Sequence, residues 1–177
     1  MHVSYPKTKV FAMSFTQCDR AQVCNITRKG TEKNWETAES YLNLIASRGI
    51  KPGLERIQRL MDLLNHPERK FKSIHVAGTN GKGSVCAMLE SILRAAGIKT
   101  GLYISPHLND VRERISVSGE RIGSESLSFW IKEIRERAGA MEPELTYFEL
   151  LTEAAFCYFA EMKVELAVVE VGLGGRL

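Results

Sequence analysis

The chain has few cysteines, no long apolar run and no large excess of charge of either sign. Its four cysteines, Cys18, Cys24, Cys86 and Cys157, form no CxxC pair. Two of them lie in apolar helical patterns, so they read as reduced thiols of a cytosolic protein and not as a disulfide framework. No stretch approaches the roughly 18 apolar residues of a membrane span. The net charge of +3 gives no argument for nucleic acid. Repeats and low-complexity segments are also missing. The apolar run around Val10–Phe15 is too short for a secretory signal.

What is present is ordinary for a globular domain. The 177 residues are 44% hydrophobic and 25% charged, enough for one domain with its own core. The first 34 positions hold six basic residues against Asp19 and Glu32 and show no sustained period. They leave room for a transit peptide, but the preferred reading is a poorly ordered extension or a start codon placed too early.

From Trp35 a helix is predicted with Ala38, Tyr41, Leu42 and Ile45 on one face and Gly49 as its stop. A turn at Ile50-Lys51-Pro52-Gly53 leads to a second helix carrying Leu54, Ile57, Leu60, Met61 and Leu64, ended by Pro67. Phe71–Ala77 reads as a strand. A glycine loop follows, then a helix with Val85, Met88, Leu89, Ile92, Leu93 and Ala96 facing inward. Lys99–Ile104 reads as a second strand. A small hairpin around Gly119 and a helix over Ser124–Ala138 come next. Thr146-Tyr147-Phe148-Glu149 has the S/T-x-x-E form of a capping box and opens an apolar helix to about Met162. Val164–Val171 is a third strand.

Strands alternating with helices imply an α/β domain built on a mostly parallel sheet with flanking helices. Ligands bind such sheets beyond the carboxyl ends of the strands. Three loops stand there: 78–84, 105–108 and 172–175. Three parallel strands make a small sheet for this class, so the chain is expected to be the amino-terminal piece of a longer protein.

The loop Gly78-Thr79-Asn80-Gly81-Lys82-Gly83-Ser84 is the main chemical signal. Glycines let backbone amides approach an anion, the following helix adds the positive end of its dipole, lysine adds charge, and a hydroxyl can reach Mg²⁺. It is not a strict Walker A loop, which would need glycine at Val76 and a hydroxyl at Gly83. The second signal is Glu170, an acid in an otherwise apolar strand. A buried carboxylate needs a partner or a cation, so Glu170 is either a metal ligand or half of a buried salt bridge. Ser105 is a candidate second ligand, although a serine before proline is ordinarily a turn former. His107 is either a substrate contact or a solvated loop residue. Arg112 and Arg114 are either contacts for an anionic substrate or, the preferred reading, a solvated charged face, and a helix cap alone explains Thr146 and Glu149.

Four motifs together resemble a known family. His75–Ser84, Tyr103-Ile104-Ser105-Pro106-His107-Leu108 with Arg112-Glu113-Arg114-Ile115, Leu145–Glu149, and Val169–Leu177 resemble folylpolyglutamate synthase and dihydrofolate synthase of the Mur ligase superfamily. The resemblance covers about residues 35–177. It implies a P-loop-type fold that is an incomplete Mur-ligase-like central ATPase domain, with the carboxy-terminal domain absent. It also implies an ADP-forming, ATP-dependent ligase that adds L-glutamate to a folate through an acyl phosphate, with dihydrofolate synthesis from dihydropteroate as a further activity.

By the same resemblance, Gly78, Thr79, Asn80, Gly81, Lys82, Gly83 and Ser84 hold ATP, with Lys82 the catalytic cation. Ser105 and Glu170 bind Mg²⁺. Ile50, Lys51, Pro52, Thr146, Tyr147, Phe148, Glu149 and Leu177 line the pterin site. The implied partners are ATP, L-glutamate and folate or dihydropteroate, with no nucleic acid and no membrane, in a cytoplasmic and monomeric parent. A third metal ligand, a modified lysine and the second domain fall beyond Leu177, so the chain alone is not expected to complete the reaction. The other readings are a cell-wall-type Mur ligase and a non-catalytic nucleotide-binding remnant.

Overall fold

The computed structural model describes residues 32–140 and 145–172. Helix α1 spans Glu32–Ala46, so it starts before the expected Trp35; residues 1–31 of the expected extension lie outside the described residues. Helix α2 (Glu55–Leu63) leads through a short 3₁₀ turn, Pro67–Lys70, into strand β1 (Lys72–Val76). Helix α3 (Lys82–Ala95) and strand β2 (Thr100–Tyr103) follow. A second 3₁₀ turn, Val111–Arg114, feeds β3 (Ile115–Val117) and β4 (Glu120–Arg121). Helix α4 (Ser124–Ala138), helix α5 (Tyr147–Glu161) and strand β5 (Leu166–Glu170) complete the order.

The sheet runs β1-β5-β2-β3-β4. Strand β5 lies between β1 and β2 and is parallel to both. The hairpin expected around Gly119 forms, and it extends the sheet antiparallel beyond β2, with β4 at the edge. The mixed sheet with flanking helices agrees with the α/β class read from the sequence.

Side chains alternate across a strand, and the two faces of β5 show it. Ala167 and Val169 join the main core with Leu42, Ile45, Ile131, Ile134 and Phe159 from α1, α4 and α5. Val168 faces the other way, into a smaller cluster with Val76 and Cys86. Glu170 shares the parity of Val168, so the α3 side is where its carboxylate must emerge. Each fully buried large apolar side chain of the main core contributes roughly 1.5–3 kcal/mol relative to exposure.

Helix α3 departs from expectation. Val85, Met88 and Ile92 are exposed, not inward. Leu89 and Leu93 face the sheet as expected, and Cys86, which the expected stripe did not include, joins them. Pro67 also does not simply end α2; it opens the 3₁₀ turn.

Gly101 on β2 marks a close approach. A Cβ there would lie 3.0 Å from Cδ1 of Phe159. That ring is fully buried and packs edge-on against Phe71 at 5.7 Å between centroids, so it has little room to retreat. Gly101→Ala is expected to lower unfolding free energy by about 1–3 kcal/mol, measured by urea titration, as overpacking does.

Candidate active site

The register of the parallel strands builds the site. Val76 pairs with Glu170, and Tyr103 pairs with Val169. The carboxyl ends of β1, β5 and β2 therefore finish side by side, and the loops after them open at one edge of the sheet. Residues 77–81 are exposed there. Gly81 is the N-cap of α3 in the left-handed region (φ 74°), a conformation that glycine adopts without steric cost. No side chain caps this helix start. The first-turn amides have no intrahelical acceptor, and they carry the positive end of the helix dipole. An anion suits that position.

Glu170 is 4% exposed. Its Oε2 accepts a hydrogen bond from the backbone N–H of Ser105 at 3.0 Å, and its Oε1 lies 3.8 Å from Nζ of Lys82. The salt bridge and the approach of Ser105 are thus both present. A Cβ on Gly83 would lie 3.6 Å from Oε2, so glycine at this position keeps open the space beside the carboxylate. Among the described residues no group of three or more His, Cys, Asp or Glu could hold a metal. A cation here would draw on Glu170 and the Ser105 hydroxyl and complete its shell with phosphate oxygens and water, which is how Mg²⁺ is usually held. The donor set fits a nucleotide-borne hard cation.

Cys86 lies behind this group. Burial, followed by the nearby Glu170 charge, pushes its thiol up to about 11.

The other residues singled out in the sequence fall in two segments, the Ile50–Pro52 turn and the start of α5. Thr146 and Glu149 form the expected capping box: Glu149 N–H donates to Thr146 Oγ1 at 3.2 Å, and Thr146 N–H donates to Glu149 Oε2 at 2.9 Å. Arg56, which had no role in the sequence reading, joins the two segments. Its Nε donates to Glu149 Oε1 at 3.0 Å, and its Nη2 donates to the Lys51 carbonyl at 2.6 Å. The signal for it was indirect: a capping carboxylate buried at a helix start needs a further partner for its charge. Ile50 and Phe148, each beside a tied residue, are exposed apolar side chains. The ring of Phe148 reaches the third loop, where a Cβ on Gly172 would come within 2.7 Å of Cζ. Leu177 lies outside the described residues.

Arg112 and Arg114 correct the reading of a solvated charged face. Arg112 pairs with Asp110, its Nε 3.0 Å from both carboxylate oxygens. That guanidinium holds the Asp110 carboxyl below its ordinary range. Arg114 is 9% exposed. It donates to His107 Nδ1 at 2.8 Å and stacks over the Tyr147 ring at 5.3 Å. His107 and Tyr147 line a cavity of about 370 Å³ with Glu39, Asn43 and Asp110. Burial and then the Arg114 charge lower the His107 pKa, against the opposing pull of Glu113 and Asp110.

A glycine loop, a strand-end acid and a neighbouring serine meet at the carboxyl ends of adjacent parallel strands, the place where α/β domains bind their ligands. The comparisons with known proteins make the class specific. No family model matches the chain. The dihydrofolate synthase/folylpolyglutamate synthase of Bacillus subtilis (strain 168) is 41% identical over 147 residues, which is 80% of this chain and 34% of that protein. The crystal structure of folylpolyglutamate synthase from Thermotoga maritima superposes with a TM-score of 0.76 at 41% identity, covering 82% of this chain and 34% of that one. The bifunctional enzyme from Yersinia pestis, complexed with AMPPNP and Mn ion, gives 0.73 at 38% identity over 81% of this chain and 34% of its own. Over about four-fifths of its length the chain is a homologue of the folylpolyglutamate synthase/dihydrofolate synthase proteins. It spans about a third of the length of these relatives. The resemblance read from the four motifs is thereby borne out. Among the described residues no helix is long and apolar enough to cross a membrane.

Proposed function

We propose that the chain is the ATP-handling part of a ligase that joins L-glutamate to a folate, with dihydropteroate as a second acceptor. The observation that carries the proposal is the meeting of Lys82, Glu170 and Ser105 at the carboxyl ends of three adjacent strands. In this reading the loop amides of Gly78–Ser84 and the Lys82 ammonium bind and orient the ATP phosphates. Glu170 and the Ser105 hydroxyl hold Mg²⁺, a preference consistent with the Mn ion of the Yersinia pestis complex. When bound, the cation neutralises the charge that develops on the transferring phosphoryl group.

A substrate carboxylate oxygen attacks the γ-phosphorus, and ADP leaves. The amine of L-glutamate then attacks the acyl carbon. Phosphate departs with the bridging oxygen, and the amine loses its proton. Little of this needs covalent chemistry from the protein. Positioning and fixed charge supply it, and those are what the loop and the strand ends offer. Ile50, Lys51, Pro52 and Thr146–Glu149 form the pterin side of the site, with the exposed apolar faces of Ile50 and Phe148 suited to a flat ring. The setting is the cytoplasm, in which the free buried thiols Cys86 and Cys157 would stay reduced, and the working unit is a monomer.

The test uses the full-length protein that carries this chain. Release of ADP is expected only when L-glutamate is supplied together with tetrahydrofolate or dihydropteroate. Absence of ADP with both acceptors would overturn the proposal.

A further inference from the structure

We infer that Arg56 is a positioning residue that sets the spacing of the two walls of the folate side of the site. The inference rests on the function proposed above and adds a residue to it. Arg56 sits near the start of α2, 18% exposed at its side chain. Its guanidinium meets two segments that are far apart in sequence. On one side, Nε donates to Glu149, at 3.0 Å to Oε1 and 3.4 Å to Oε2. On the other, Nη2 donates to the carbonyls of Lys51 at 2.6 Å and Pro52 at 3.5 Å.

Glu149 is itself held. Its Oε2 accepts from Thr146 N–H at 2.9 Å and from Thr146 Oγ1 at 2.8 Å. The chain of contacts therefore runs from the turn through the guanidinium to the first turn of α5 without a gap. Its outer members are a capped helix start and a turn containing Pro52. A planar guanidinium has several donors fixed in one fork, so it holds a carboxylate and a carbonyl at a set separation. A lysine ammonium has the charge but not the fork.

The contacts have a functional consequence because of what stands next to them. Ile50 is 74% exposed and Phe148 is 38% exposed. Each is one residue from a group that Arg56 holds. Releasing the turn lets Ile50 drift from Phe148, and a ring bound between them loses one wall. The loop at Gly78–Ser84 stands on β1 and α3, and no contact of Arg56 reaches it.

The experiment compares wild-type, Arg56→Lys and Arg56→Gln in the full-length protein, titrating tetrahydrofolate in one arm and AMPPNP with Mg²⁺ in the other, each followed by calorimetry. Arg56→Gln is expected to weaken tetrahydrofolate binding about tenfold or more while nucleotide affinity stays within about twofold. Arg56→Lys, which keeps the charge beside Glu149, is expected to fold like wild-type and still to lose about threefold or more for tetrahydrofolate alone. In steady state the same split would appear as a raised KM for folate with an unchanged KM for ATP. Equal affinities in all three proteins, or equal losses for both ligands, would overturn the inference. A wild-type protein that binds nucleotide but neither tetrahydrofolate nor dihydropteroate would instead overturn the folate reading, and the inference with it.

Discussion

Replacing Glu170 with glutamine is expected to lower ATP-dependent turnover of the full-length protein by about a hundredfold or more while leaving the fold intact. The size follows from what the reaction asks of the protein. Phosphoryl transfer draws its acceleration from fixed charges placed around the moving phosphoryl group, and removing one such group costs on the order of 10²–10³ in rate. Glutamine keeps the volume and still offers an oxygen to the Ser105 N–H, now 3.0 Å from Oε2. It removes the negative charge that faces Lys82 at 3.8 Å and that would hold the cation. The Lys82 side chain is 19% exposed, so water can reach the ammonium left without its partner. Melting temperature should therefore move by only a few degrees while Mn²⁺ affinity in the presence of AMPPNP falls with kcat. Turnover within about threefold of wild-type would remove Glu170 from the site.

Glu153→Gln is expected to raise stability at alkaline pH by several kcal/mol and to leave it nearly unchanged at pH 5. Glu153 lies on the apolar helix α5 and is fully buried. Its Oε2 has no hydrogen-bond partner, and Oε1 meets only the weak Cys157 Sγ donor at 3.9 Å. Burial, with the Glu68 charge across the core adding to it, pushes its carboxyl up to about 8 from an ordinary 4.5. Lys70 and Arg137 are the cations acting on the adjoining Cys157, whose thiol burial also raises.

The folded chain thus holds a proton on Glu153 that the unfolded chain releases above about pH 4.5. Unfolded molecules bind fewer protons, so stability falls as pH rises through that window, and the full penalty is present above about 8. The shift corresponds to roughly 5 kcal/mol. Glutamine has no charge to desolvate, so the difference in melting temperature between variant and wild-type should open between pH 5 and pH 9. Parallel melting curves over that range would show that Glu153 ionises in the folded chain near its ordinary value, its charge met by a partner or by water.

Elements with strong periodic or capping signals were legible. The bounds of α4, Ser124–Ala138, follow directly from its apolar spacing, and the Thr146–Glu149 capping box starts α5 where its residues say. The loops at 78–84 and 105–108 also fell where the order of elements put them, because parallel strands finish at one edge; of the third, only Gly172 lies within the described residues. Periodicity was weaker at orientation. On α3 the apolar residues spread over a face wider than the sheet covers, since neighbours in sequence lie about 100° apart round the helix, and all were expected inward. Cys86, Leu89 and Leu93 do, and Val85, Met88 and Ile92 do not.

Contacts between distant segments were not legible. Arg56 and Glu149 are 93 positions apart, and neither type nor spacing links them. Arg114 looked like one of two equivalent loop cations, yet only its fold neighbours distinguish it: Asp110 takes Arg112, while His107 and Tyr147 enclose Arg114. Glu153 was hidden for the opposite reason, since one acid in an apolar helix leaves the period intact.

The central claim is that this site activates a carboxylate by phosphorylating it. Its most direct measurement is the fate of oxygen in the full-length protein, supplied with ATP, L-glutamate and a folate whose γ-carboxylate carries ¹⁸O. The acyl phosphate route transfers one labelled oxygen to each inorganic phosphate released. Phosphate that carries one ¹⁸O is the expected result, and unlabelled phosphate formed along with the glutamyl product would contradict the account.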